Sequence, residues 1–330
     1  MREPLVKTVE RHLEAIVDGY PDRHVGGPGN IAAVVYAGSV FEQHGWVVDA
    51  VDFEALDCAL GPATFSVEGR PLEVWPGPYT TPVDVSAPLL AIETVEELAA
   101  ADLRGAIVLL HGAIAADQLF PKSFDFVEAP EHRRIYQLLE EGEPAAIIGA
   151  TGRGGGMGGG LYPYPLIEDG DFLIPNAYTT DVIGAQVARL AGTSARLVLV
   201  SERFRVDGRQ LTAARGPLGA PRAAVIAHID SKAGSPGALD NATGVSALLG
   251  VAGLLDDYDG PYRVELVPMN GEDYYANSGE HLFVAANEDR WEELLGAVNM
   301  DAIGARDART ALSMYAVSEQ NRALIQRVLR

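Results

Sequence analysis

The sequence AAVIAHIDSKAGSPGALDNATG, residues 223–244, decides the fold. It begins with an apolar run, residues 223–227, which predicts a buried strand, and His228 and Asp230 follow at its carboxyl end. A loop of small residues then leads to Asp240, and the apolar run after it predicts a helix. Ligand sites in open α/β sheets lie at the carboxyl ends of the strands. We therefore interpret this stretch as half of a two-metal hydrolytic site.

Strands and helices alternate strictly after Arg222, and this order predicts a mostly parallel sheet covered by helices. The further predicted strands are residues 263–269, 297–300 and 311–317. The predicted helices are residues 243–255, 278–287, 291–295 and 318–329. The predicted fold class is α/β.

The residues before Arg222 show two other patterns. Residues 1 to about 50 predict a helix, a Gly-Pro loop, a second helix over 31–44 with Asn30 as its N-cap, and a strand over 46–51. From about residue 52 to 202, short apolar runs separated by turn residues predict a β-rich region. Its predicted strands are residues 63–67, 88–92, 106–110, 145–148 and 196–200, and its predicted helices are residues 95–101 and 132–141. The Gly-rich segment 151–160 lacks the Gly-Lys-Ser/Thr ending of a phosphate loop, so we expect a surface loop there.

The composition excludes several classes of protein. With 48% hydrophobic residues the chain is globular rather than disordered, and its net charge of −21 argues against nucleic acid or anionic membranes as partners. No apolar run approaches the roughly 18 residues of a membrane span, and the N-terminus lacks the pattern of a signal peptide, which predicts a cytoplasmic protein. Cys58 is the single cysteine, so an internal disulfide and a Cys-rich metal site are excluded.

Polar residues follow three of the predicted strands after Arg222. Because the carboxyl ends of parallel strands meet at one edge of a sheet, we expect these side chains to gather there. They are His228, Asp230, Asp240, Glu272, Asp273 and Asp301. Taken singly, each has an ordinary structural explanation, and Asp240 in particular suits a helix N-cap, a role that it could also fill in addition. Their joint placement favours a functional site.

So many carboxylates would repel one another unless some were protonated or a cation lay among them. Histidine together with carboxylates suits zinc, with manganese or cobalt as alternatives. A loop carboxylate such as Asp240 can bridge two ions, and Asp230 is placed to orient the imidazole of His228. Glu272 and Asp273 are adjacent and diverge, so one can bind metal while the other acts as general base.

Five motifs in this region resemble one known family. They are AHIDS (227–231), SPGALDNATGVSALL (235–249), NGED (270–273), SGEHLFV (278–284) and VNMDAIG (298–304). In this order and spacing they resemble the co-catalytic zinc exopeptidases, which include bacterial leucyl-type aminopeptidases, glutamate carboxypeptidase and the catalytically inert transferrin receptor. RHVGGPGN (23–30) and FEQHGWVV (41–48) are similar to the N-terminal segment of that family.

The resemblance implies a three-layer fold, two zinc ions and a role for each site residue. His228 and Asp301 look like the terminal ligands of one zinc, Asp240 like the bridging ligand, and Asp273 like a ligand of the second zinc. Glu272 looks like the general base and Asp230 like the residue that orients His228. The family usually has glutamate where this chain has Asp273. It also supplies a last histidine to the second zinc, and no histidine follows His281 here. We expect that the sequence is truncated at its C-terminus, with a degenerate second site as the alternative.

The middle of the chain resembles a protease-associated domain. The matching segments are DLRGAIVLLHG (102–112), Lys122, GEPAAIIGA (142–150) and FLIPNAY (172–178). The resemblance implies that residues 53–202 are an insertion that forms a lid or substrate-side wall. Residues 1–52 and 203–330 would then form the zinc peptidase domain.

The expected function is that of a di-zinc aminopeptidase acting on a peptide or amino-acid amide. A carboxypeptidase or another amide hydrolase is the alternative in the same class, and a phosphohydrolase lacks the expected basic clamp. A non-catalytic binding protein on the same fold is the alternative of another class. The oligomeric state, with a homo-oligomer as one option, stays open.

Overall fold

A computed structural model of the chain describes residues 5–153, 161–306, 311–315, 319 and 322. The helices are α1 (Leu5–Gly19), α2 (Pro28–Gln43), α3 (Val95–Ala100), α4 (Pro130–Gly142), α5 (Asp181–Ala188), α6 (Thr243–Leu254) and α7 (Ser278–Asn287). The strands are β1 (Val47–Val67), β2 (Arg70–Leu72), β3 (Trp75–Pro76), β4 (Val83–Ile92), β5 (Ile107–Leu110), β6 (Ala146–Thr151), β7 (Asn176–Thr180), β8 (Ser194–Arg215), β9 (Arg222–His228), β10 (Arg263–Met269) and β11 (Leu294–Asn299).

The strands of the described residues form one mixed sheet, in the order β11-β9-β10-β8-β4-β5-β6-β7-β3, with β1 and β2 beside this path. Two long strands, β1 and β8, pair antiparallel from Val47 with Ala214 to Val67 with Ala195. The register shifts between Leu60 and Ala63, where Gly61 and Pro62 interrupt the ladder. This ribbon runs from the two segments of the predicted peptidase domain, residues 1–52 and 203–330, into the predicted insertion, and the division into domains at residues 53 and 202 stays a prediction.

The strands after Arg222 pair parallel, as the α/β pattern predicts, and β4 to β7 are also parallel, although the sequence predicted only a β-rich region there. Strands β9, β10 and β11 pair parallel at one end, and β4 to β7 pair parallel at the other. Met269 lies opposite His228, and the N–H of Met300 donates to the carbonyl oxygen of Ile226 at 2.8 Å. The residues that follow β9, β10 and β11 therefore emerge side by side, which is what positions the candidate site.

Separate hydrophobic cores stabilise the two ends of the sheet. Helices α1, α2 and α6 pack on β8, β9 and β10, and Phe41, Leu248 and Leu266 are fully buried there. The predicted insertion has two further cores on β4 to β7, around Leu109 and Leu110. Burial of a large apolar side chain is worth about 1.5–3 kcal/mol, so each end holds enough apolar side chains to order its own loops.

Several predicted elements are confirmed, and four details are wrong. Strand β10 and helix α7 have the predicted bounds. Helix α2 begins at Pro28 with Gly27 as its N-cap, so Asn30 is not a cap. The predicted helix 291–295 is a single 3-10 turn (Trp291–Glu293), and β11 begins three residues earlier than predicted because the chain is already extended at Leu294. The described part of the predicted strand 311–317 is irregular.

Two other predictions, besides the strand 311–317, extend to residues outside the described ones. Most of the Gly-rich segment, residues 154–160, and most of the predicted helix 318–329 lie there, although residues 319 and 322 are helical. No helix in the described part of the chain is both long and apolar enough to cross a membrane.

Candidate metal centre

His228 is the last residue of β9 and the centre of the candidate site. Its side chain is buried, and its Nε2 atom lies 2.9 Å from Oδ1 of Asp240 and 3.6 Å from Oδ1 of Asp301. The same atom lies 3.9 Å from Oε2 of Glu272. Burial would lower the pKa of His228, but the carboxylates of Asp230, Asp240 and Asp301 raise it well above its ordinary value. The imidazole is therefore surrounded by negative charge.

Asp230 supports the loop that follows the neighbouring strand. Its carboxylate accepts hydrogen bonds from the backbone N–H groups of Gly271 (2.9 Å), Glu272 (3.2 Å) and Asp273 (3.0 Å). Gly271 has a φ of 115°, a left-handed conformation that favours glycine. Asp230 also lies 3.6 Å from Nδ1 of His228, slightly longer than a hydrogen bond. One buried aspartate thus fixes the backbone of the predicted base and of a predicted ligand.

Asp240 lies on a turn that precedes α6. The peptide bond between Asp240 and Asn241 is cis, and the side chain of Asp240 is 62% exposed towards the site. Gly237, with a φ of 48°, begins this turn, and a Cβ there would lie 2.6 Å from the carbonyl oxygen of Asp240. Helix α6 has Ala242 as its N-cap with no side-chain cap bond, so the prediction that Asp240 also caps this helix is wrong.

Asn241 joins the loops that carry Asp240 and Asp301. Its Nδ2 donates to the carbonyl oxygen of Met300 at 2.9 Å, and its Oδ1 accepts from the N–H groups of Gly244 (2.9 Å) and Ala302 (3.3 Å). Because the amide is buried, these three bonds hold the loop after β11 against the start of α6. Sequence reasoning gave Asn241 no role.

Arg23 is a second residue without a predicted role. Its guanidinium is almost completely buried and donates to four carbonyl oxygens on the polypeptide around the site, those of Tyr20 (3.1 Å), Ile229 (2.9 Å), Pro236 (2.9 Å) and Gly237 (2.9 Å). These bonds shape the loop that leads from His228 to Asp240. The sequence signal was RHVGGPGN, whose arginine precedes a glycine-rich turn.

The acidic residues after β10 are partly buried beside the other carboxylates. Burial and the carboxylates of Asp230, Asp301 and Asp240 raise the pKa of Glu272, although His228 opposes this. Burial raises the pKa of Asp273 to about 7, with Lys232 opposing the shift. Two carboxyl groups with raised pKa values, next to a histidine, form a site that favours binding of a cation.

The structure brings together five of the six predicted site residues as two groups of potential ligands. Within the described part of the chain, the ligand atoms of each group lie within 4.8 Å of one another; the groups are His228 with Asp240 and Asp301, and His228 with Glu272 and Asp273. Two ligands of one tetrahedral zinc lie about 3.3 Å apart. The distances of 2.9 and 3.6 Å from His228 to Asp240 and Asp301 match that spacing, so the first group fits a zinc ion.

A cavity of about 500 Å³ opens beside these residues. Asp230, Asp240 and Asp273 lie at one side of it, and residues of the predicted insertion form another side, with Gln118, Tyr164, Glu168 and Tyr178 among them. His24 and Lys232 are its basic residues. The cavity is therefore lined both by acidic residues of the candidate site and by aromatic residues of the predicted insertion.

A histidine and carboxylates gathered at the carboxyl edge of an α/β sheet define a metallohydrolase type of centre. Residues 215–330, the C-terminal third of the chain, match the model of peptidase family M28. The predicted resemblance to the zinc exopeptidases and the predicted enzyme class, a zinc metallopeptidase, are thereby confirmed. None of the curated protein sequences compared with the chain gives a match.

Solved structures confirm the predicted fold. The fold is similar to that of an aminopeptidase from Aneurinibacillus sp. strain AM-1, with a TM-score of 0.68 and 19% identity over 92% of this chain and 71% of that chain. A zinc aminopeptidase from Bacillus subtilis gives a TM-score of 0.69 and 18% identity over 92% of this chain and 71% of that one. A peptidase M28 precursor from Shewanella amazonensis SB2B gives a TM-score of 0.64 and 18% identity over 90% of this chain and 73% of that one.

Proposed function

We propose that the chain is a zinc-dependent exopeptidase of the aminopeptidase type. The observation that carries this proposal is the convergence of His228, Asp240 and Asp301 on one point, with Glu272 beside them. These three residues would hold the first zinc, with manganese or cobalt as alternatives. Asp240 and Asp273 would contribute to a second ion. When bound, such ions polarise the scissile carbonyl and water.

Glu272 is the proposed general base. Its Oε2 atom lies 3.9 Å from Nε2 of His228, and partial burial together with its acidic neighbours raises its pKa. A carboxylate with a raised pKa takes a proton from water more readily, and it returns that proton to the leaving amine. Asp230 would act as a positioning residue, because it holds the backbone N–H of Glu272.

The charge of the cavity supports an amino terminus, rather than a carboxyl terminus, as the recognised end of the substrate. Five carboxylates line the cavity, those of Asp57, Glu168, Asp230, Asp240 and Asp273. Two basic residues, His24 and Lys232, oppose them. A first divalent ion would add two positive charges, so one negative charge remains in excess, and it attracts the ammonium group of a peptide or amino-acid amide. We also propose that the protein is cytoplasmic and that its partner is this small substrate.

Glu272→Gln tests the assigned chemistry. The variant should keep its bound zinc and lose activity by about 10²–10⁴-fold, because general base catalysis contributes about that much. Activity is measured on aminoacyl anilides with a free amino group, and on peptides with a blocked amino group and a free carboxyl group. Turnover of the second kind alone would identify a carboxypeptidase. Activity near that of the wild type in Glu272→Gln would refute the role of Glu272.

A further inference from the structure

Lys232 lies beside the carboxylate proposed to hold a second ion. It is one of three lysines in the chain and belongs to the loop between His228 and Asp240. Its ammonium donates a hydrogen bond to the backbone carbonyl oxygen of Asp273 at 2.9 Å. The same nitrogen lies 3.7 Å from Oδ1 of the Asp273 side chain. Lys232 is therefore held at Asp273 by a hydrogen bond as well as by charge.

Glu168 from the predicted insertion holds the ammonium from another direction. Its Oε1 atom lies 3.3 Å from Nζ of Lys232, and its Oε2 atom accepts a hydrogen bond from Nε2 of Gln118 at 2.8 Å. The side chains of Glu168 and Asp273 are each 15% exposed, whereas that of Lys232 is 44% exposed. Two largely buried carboxylates thus fix one half-exposed cation.

This cation competes with an ion on Asp273. An ion about 2.0–2.2 Å from the Oδ1 atom of Asp273 would lie at most about 6 Å from the ammonium, and two positive charges repel at that distance. Further ligands could offset this repulsion, but the described residues supply few. Both groups of potential ligands in that part of the chain contain His228, which the first ion would already use. A separate second ion would rely on Asp240 and Asp273.

We propose that Lys232 is a built-in counter-cation of Asp273, which weakens the binding of a second divalent ion. The centre would then hold one ion tightly, on His228, Asp240 and Asp301, and a second ion weakly. This inference rests on the proposed function, because it assumes that the first ion binds to those three residues. Lys232 acts here on ion binding and is not a catalytic residue.

Zinc titration of the metal-free 330-residue protein tests the inference. Calorimetry gives both dissociation constants, and bound zinc is counted after dialysis. Lys232→Met removes the charge at nearly constant length, so the second zinc should bind about tenfold more tightly or better than in the wild type. Lys232→Arg keeps the charge and should behave like the wild type. The matched control is Lys122→Met, since Lys122 pairs with Glu140 at 2.6 Å within the insertion and should leave both constants unchanged.

Glu168→Gln gives an independent measurement should Lys232→Met fail to fold. Lys232 then keeps Asp273 but loses the charge of Glu168, so the second ion should bind more weakly than in the wild type. Equal second-ion affinity in the wild type and Lys232→Met, or unchanged or tighter binding in Glu168→Gln, would overturn the inference. Absence of a tight first ion in every variant would contradict the proposed function itself, and the inference would fall with it.

Discussion

The two parallel parts of the sheet use the polar residues at their strand ends in opposite ways. We call the carboxyl ends of β4 and β7 the insertion edge, and those of β9, β10 and β11 the site edge. At the insertion edge, Thr94 and Thr180 are the N-caps of α3 and α5. They accept hydrogen bonds from the N–H groups of Glu97 (3.2 Å) and Ile183 (3.1 Å) in the first turns of these helices. At the site edge, α6 and α7 begin without a side-chain cap bond.

On the same architecture, a ligand site requires polar side chains that the next helix does not use. A polar side chain at a strand end can satisfy the free N–H groups of the next helix, or it can remain available to a ligand. At the insertion edge the threonine side chains cap α3 and α5, which stabilises these helices. The site edge leaves Asp240 and Glu272 exposed among like charges, and Arg23, Asp230 and Asn241 hold their loops instead.

The largest expected effect is that of Asp240→Asn at the site edge. Loss of an outer partner of a metal ligand already costs roughly 10–100-fold in metal affinity, so the loss of a proposed ligand charge should cost more than about 100-fold. Zinc content after dialysis and aminopeptidase turnover should fall together. Stoichiometric zinc in this variant would contradict the proposal that the site edge depends on the free carboxylate of Asp240.

Arg23→Met should have the largest effect on stability. It removes a buried donor and leaves the carbonyl oxygens of Tyr20, Ile229 and Pro236 without its hydrogen bonds, at a cost of about 1–3 kcal/mol for each group that water cannot reach. The carbonyl oxygen of Gly237 keeps the N–H of Ala242 as a donor at 3.0 Å. Urea unfolding should give a loss on the order of 3 kcal/mol or more, with weaker zinc binding. Exposed Arg104, paired with Glu143 in the insertion, is the control: Arg104→Met should unfold close to the wild-type midpoint.

His24 and Asp57 join the two regions, and their contribution depends on pH. Hydrogen bonds to Asp57 and Asp22 raise the pKa of His24 to about 9 despite partial burial. Because this value lies above the unfolded value of about 6.5, the stabilisation is complete below pH 6.5 and is lost as the pH rises through 9. His24→Gln should lose on the order of 2–3 kcal/mol at pH 6 and much less at pH 10. Equal losses at both pH values would contradict a charged pair.

Thr180→Ala at the insertion edge should have the smallest effect. Removal of an N-cap side chain costs about 1 kcal/mol, and turnover and zinc content should stay at wild-type levels. Thermal unfolding and zinc analysis on the same sample measure both. A loss of zinc in this variant would show instead that the insertion edge and the site edge are energetically coupled through the sheet.

Much of the site edge could be predicted from the sequence, and the reason is local. His228 and Asp230 directly follow an apolar run, Glu272 and Asp273 follow another, and parallel pairing brings such ends together. The β1–β8 ribbon was harder to predict. Many residues of both strands are exposed, and Gly61 interrupts β1. The apolar pattern of the sequence therefore predicted several short strands instead of two long ones.

Asn30 illustrates the remaining failures. Its position before an apolar run suits an N-cap, but its Nδ2 donates to Oδ1 of Asn270 at 2.8 Å, and Asn270 donates back at 3.1 Å. These partners are separated by 240 residues in the sequence, so no local pattern predicts the pair. Lys232 and Glu168 are also distant in the sequence, as are Arg23 and the loop after β9, so no local pattern predicts these contacts either.

The sequence by itself determined which residue types stand at the strand ends of this protein, because hydrophobic periodicity and residue order are local properties. It determined the α/β class and the candidate ligands His228, Asp240 and Asp301 in this way. The tertiary structure alone decided which side chains stay available, which are used as caps, and which cation faces Asp273. Those outcomes depend on contacts between distant segments, and the free energy of such contacts is set by packing and burial.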